Sequence, residues 1–112
     1  MDRIGGIARL ACSMIVVASA LANAPLNAQE TGDWGKGLTL AQQVCVACHA
    51  IDKRQDASPN PAAPRFEAIA NVPGMTAMAL TVALRTPHRT MPNLVLDGDE
   101  LRNVAAYILS LK

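Results

Sequence analysis

Cys45-Val46-Ala47-Cys48-His49 is the stretch that decides how this chain folds. Two thiols three positions apart at the end of one helix project to the same side, and an imidazole follows at once. Four chemistries use such a cluster. A thioredoxin-like redox pair needs a strand–helix–strand context. A zinc site could draw on Cys45, Cys48, His49 and His88, but Cys48 and His49 are adjacent and the second pair lacks finger-like spacing. A structural disulfide would use the thiols and leave the histidine unexplained. Covalent haem attachment uses all three groups: the thiols add across the two vinyl groups of one haem, and the histidine lies under its plane with a nitrogen for iron.

The flanking sequence removes the first alternative. Leu38, Ala41 and Val44 recur at helical spacing over roughly residues 33–47, so the motif closes a helix. A second helix is predicted from about Thr76 to Arg85, stopped by Pro87. A third starts at Asp97, a good N-cap with Glu100 three positions on, and carries Leu101, Val104, Ala105, Ile108 and Leu111 at helix-face intervals. A short turn over Phe66–Ala70 is also expected, and Pro-bearing loops span residues 58–64 and 87–92. No segment alternates as a strand does. The fold class is all-α.

The N-terminus supplies the compartment. Arg3 and Arg9 precede an apolar run from Leu10 to Leu21, followed by small residues up to Ala28. This is the layout of a secretory signal peptide, and about twelve apolar residues are too few for a membrane span. Cleavage after Ala24 would leave Pro25 at the new N-terminus, so the Ala28–Gln29 bond is the preferred site. Cys12 leaves with the leader; Arg9 just before it and the apolar run after it make it a poor lipoprotein cysteine. Removing 28 residues from 112 leaves a domain of 84, residues 29–112, with eight basic and eight acidic side chains. A neutral domain of this size argues against nucleic-acid binding. It is also small enough to need a cofactor or cross-link, and Trp34, Phe66 and Tyr107 are its only aromatics. Something other than side chains is expected to fill part of the core. Haem attached outside the cytoplasm satisfies both observations.

With these residues in place the chain resembles the small monohaem class I c-type cytochromes of bacteria over essentially the whole segment after the leader. The shared order is a helix, C-x-x-C-H, a Pro-containing loop (Ala63-Pro64-Arg65-Phe66), a middle helix, and a Met-Pro loop (Thr90-Met91-Pro92-Asn93). It ends in a terminal helix carrying Ala106-Tyr107-Ile108-Leu109-Ser110-Leu111. The resemblance implies three to four helices wrapped around one covalent haem c held by Cys45 and Cys48. It implies His49 and Met91 as the axial iron ligands, and Pro64 as the residue whose carbonyl accepts the other His49 proton. Gly37 and Tyr107 are expected at a close helix crossing. The departures are the scarcity of aromatics, which leaves the region around one haem propionate open or covered by Arg65 or Arg85, and a short interval between His49 and Met91, which suggests a minimal cytochrome with an exposed haem edge.

His88 competes with Met91 on chemistry, because imidazole is the stronger base. Met91 is favoured because Pro92 restrains it to extended backbone shapes and because its position matches the Met-Pro element. With both axial positions filled by protein, the expected role is a one-electron carrier in the periplasm rather than an enzyme. A dehydrogenase or reductase would serve as donor, and an oxidase or another cytochrome as acceptor. A gas sensor or haem enzyme would need Met91 off the iron, and a permanent subunit of a larger complex would share all of this chemistry. Lys53, Arg54, Arg85 and Arg89 are either solvated surface charge or a basic collar that steers an acidic partner.

Overall fold

Asp33 starts the first helix by accepting the Lys36 N–H on its carboxylate at 3.0 Å, which satisfies one of the donors that a helix start leaves without a partner. The structure, a computed structural model, describes residues 31–88 and 90–112; the leader and its cleavage point lie outside them. Helix α1 covers Trp34–Leu40 and passes without a break into a π-helical segment, Ala41–Cys45. The wider turn is closed by Val46 N–H on Ala41 O at 3.0 Å. The helix at residues 33–47 is therefore present, but its last turn is not α-helical. Single π-turns of this kind occur often at functional sites, and this one carries Cys45.

Three more helices follow. Helix α2 is Phe66–Ala70 and α3 is Ala77–Arg85, capped by Thr76, whose hydroxyl accepts the Ala79 N–H at 3.1 Å. Thr86 is already extended ahead of Pro87, as the steric clash of a residue preceding proline requires. Helix α4, Gly98–Leu109, begins with the expected capping box. Glu100 N–H donates to Asp97 Oδ1 at 2.8 Å and Asp97 N–H to Glu100 Oε2 at 2.9 Å. Among the described residues there is no strand, only an isolated antiparallel bridge between His88 and Met91. The fold is all-α.

The frame is the crossing of α1 and α4. At Gly37 an added Cβ would stand 2.0 Å from the Asn103 carbonyl oxygen and 2.8 Å from Tyr107 Cβ, so only glycine lets the backbones meet. Asp33 N–H donates across the same crossing to Asn103 Oδ1 at 2.8 Å. Below it Ala41, Ile51, Phe66, Leu80, Val104 and Ile108 form the buried core, joined by Tyr107 and Leu111. No helix among the described residues is long and apolar enough to cross a membrane.

Candidate haem-binding cleft

The loop after the motif is folded back upon it by main-chain bonds. Asn60 N–H donates to Cys48 O at 3.1 Å and Phe66 N–H to Ala50 O at 2.9 Å. Ala50 N–H in turn donates to Ser58 Oγ at 3.0 Å. Residues 58–66 thereby close over His49, which is buried. Its Nδ1 lies 2.7 Å from Pro64 O. A carbonyl only accepts, so Nδ1 is the donor in this bond and Nε2 is the nitrogen left to face a metal. The Phe66 ring, 5.3 Å away centre to centre and tilted by 49°, limits rotation of the imidazole.

His49 opens on a largely apolar cleft. Cys45 and Cys48 line it from the motif, and Ile69, Leu80, Leu84 and Ile108 line it from the helices. Met91 and His88 line it from the loop after α3, together with Pro92 and Leu94. The structure thus brings all five sequence-predicted residues together: Cys45, Cys48, His49, Pro64 and Met91 all border this cleft. Neither thiol is in a disulfide, and burial pushes the Cys45 thiol up, keeping it neutral. Among the described residues no three His, Cys, Asp or Glu side chains converge to hold a bare metal ion. The zinc arrangement is therefore not assembled. Two free thiols, a histidine with one nitrogen held and the other free, and an otherwise apolar cleft fit a flat apolar group carrying its own metal.

Three of the four cations considered as a collar, Lys53, Arg54 and Arg85, are described. Lys53 Nζ donates to the Lys112 carbonyl at 3.0 Å and Arg54 pairs with Asp52 at 2.7 Å, holding that carboxyl down at about 2. Arg65 pairs with Glu67. None of these cations, nor Arg85, lines the cleft, and Arg89 lies outside the described residues. Sequence reasoning also missed Asn60, whose place in the cleft wall was signalled only by the turn-forming Pro59-Asn60-Pro61.

A small helical fold whose apolar cleft carries Cys-x-x-Cys-His is that of a c-type haem protein. Residues 35–112 match the family described as Cytochrome c, and the chain belongs to that family. It is 33% identical over 101 residues to the protein called Cytochrome c-552 of Bradyrhizobium diazoefficiens, an alignment spanning 90% of this chain and 91% of that protein. No solved structure matches. The protein is a small class I c-type cytochrome: an electron carrier with covalently bound haem c that acts with redox partner proteins.

Proposed function

We propose that this cytochrome is a one-electron carrier of the periplasm, exported by residues 1–28 and functioning as residues 29–112, with His49 and Met91 as the axial ligands. Cys45 and Cys48 would form the two thioethers. When bound, the haem iron supplies reversible one-electron chemistry. The observation that carries the reading is the 2.7 Å bond from His49 Nδ1 to Pro64 O, because it fixes the ring and leaves Nε2 for iron in a cleft that Met91 also lines. Such a partner on the remote nitrogen also raises the ligand's basicity. A thioether on the other face favours reduced iron and a high potential. With His49 and Met91 both holding the iron, no position would be left for a substrate, and the chain would serve to carry electrons. Donor and acceptor would be larger redox proteins, a dehydrogenase or reductase and an oxidase or second cytochrome.

The test is the weak near-infrared band of sulfur-to-iron charge transfer in the oxidised protein. Met91→Ala is expected to abolish it and to lower the reduction potential. Survival of the band and the potential in that variant would show that the sulfur ligand is not Met91.

A further inference from the structure

Two donors, not one, border the cleft from the loop after α3. His88 and Met91 both line it, and they are the two members of the isolated antiparallel bridge. Residues directly opposite in such a pair present their side chains to the same face, with Cβ atoms about 4.5–5.5 Å apart. The imidazole and the thioether are thus neighbours on one side of the loop between Pro87 and Pro92. Their commitments differ from those of His49. That ring is buried and bonded to Pro64 O; His88 is exposed and its ring makes no hydrogen bond to any described residue.

The chemistry of the two donors differs in the sense that matters for iron. A thioether is soft and its bond to oxidised iron is the weaker; imidazole suits iron in either state. Pro87 and Pro92 fix the course of the turn at both ends, so exchanging one donor for the other needs movement within a few residues rather than refolding.

We infer that His88 is a reserve donor to the iron position assigned to Met91: it takes that place when the thioether is withdrawn. The inference rests on the Met91 reading above. It makes the loop a two-donor device in which the carrier stays six-coordinate and closed to small ligands even when its sulfur bond is lost. The chain has two histidines in all, and His49 is on the other axial bond in this reading. Any second imidazole found on iron in the monomer is therefore His88.

The experiment compares oxidised wild-type, Met91→Ala and Met91→Ala/His88→Ala holoprotein by absorption and electron paramagnetic resonance, with added imidazole as the probe. The single variant is expected to be low-spin with two nitrogen axial donors. The double variant is expected to be high-spin and to take up imidazole with an apparent Kd at least about tenfold lower than the single variant. That ratio corresponds to His88 filling about 90% of the sites in the single variant. A high-spin single variant with the same imidazole Kd as the double variant overturns the reserve role and leaves Met91 ligation intact. Wild type lacking the sulfur band, with a Met91→Ala spectrum identical to it, overturns the Met91 reading and the reserve role with it. Met91→Leu, which keeps the side-chain volume, replaces the alanine variant should that one fail to fold.

Discussion

Tyr107 ties the last helix to the site through one atom. Its hydroxyl donates to Ile51 O at 2.7 Å, only two residues beyond His49, and the residue is 5% exposed. Burial, with the Asp52 carboxylate as a lesser cause, pushes the phenol pKa up, so it remains a donor over the whole working range. Its ring also meets Phe66 at 6.4 Å, and Phe66 in turn packs on His49. Tyr107→Phe keeps both ring contacts and removes only the donor. The Ile51 carbonyl is then left without its partner in the core, which costs about 1–3 kcal/mol. Denaturant unfolding of the holoprotein followed by the haem absorption measures this. A loss below a few tenths of a kcal/mol would mean that water replaces the hydroxyl.

At the scale of the elements, the α1–α4 crossing sets two effects against each other at Gly37. Alanine is favoured over glycine inside a helix by about 1 kcal/mol. Its methyl group would stand 2.0 Å from Asn103 O, a main-chain atom that cannot step aside alone. Overpacking of that kind typically costs about 1–3 kcal/mol and sometimes more, so steric cost wins and Gly37→Ala is expected to lower stability despite its better propensity. Gly35→Ala supplies the comparison, since the nearest atom there is the Asp33 side chain at 3.2 Å. Equal melting temperatures for the two variants would refute the close approach. The contrast between these glycines also shows what the sequence could reveal. Asp97 with Glu100 fixed the start of α4, and Thr86-Pro87 fixed the end of α3, because capping and proline sterics act within a few residues. Cys45, Cys48 and His49 were legible for the same reason. The π-turn at Ala41–Cys45 was not, since one widened turn leaves no periodic trace in five residues. The bond to Pro64 spans fifteen positions and was reached only through family resemblance. The directions taken by Lys53 and Arg54 depend on where the C-terminus and Asp52 lie, which no local pattern encodes.

At the scale of the whole molecule, the scarcity of aromatics and the cleft are one fact. Among the described residues the largest fully buried side chains are Leu101, Val104 and Ile108, all on α4. They support the α1–α4 frame. The same core borders the cleft: Ile108 lines it together with Phe66, Ile69, Leu80 and Leu84. A domain this small has little stability to spare, and a group bound only in the folded state adds its binding free energy to folding. Haem here is as much core as cofactor. Cys45→Ser, Cys48→Ser and His49→Ala are therefore each expected to leave little folded holoprotein when produced with the haem-attachment machinery. The haem-free chain should retain some helix by far-ultraviolet circular dichroism but show no cooperative thermal transition, because the apolar walls of the cleft are then exposed to water. The His49 variant separates the two contributions, since both thiols remain for attachment while the proposed axial bond and the bond to Pro64 are gone. A sharp, cooperative melt from haem-free protein would show that the helices close a sufficient core on their own.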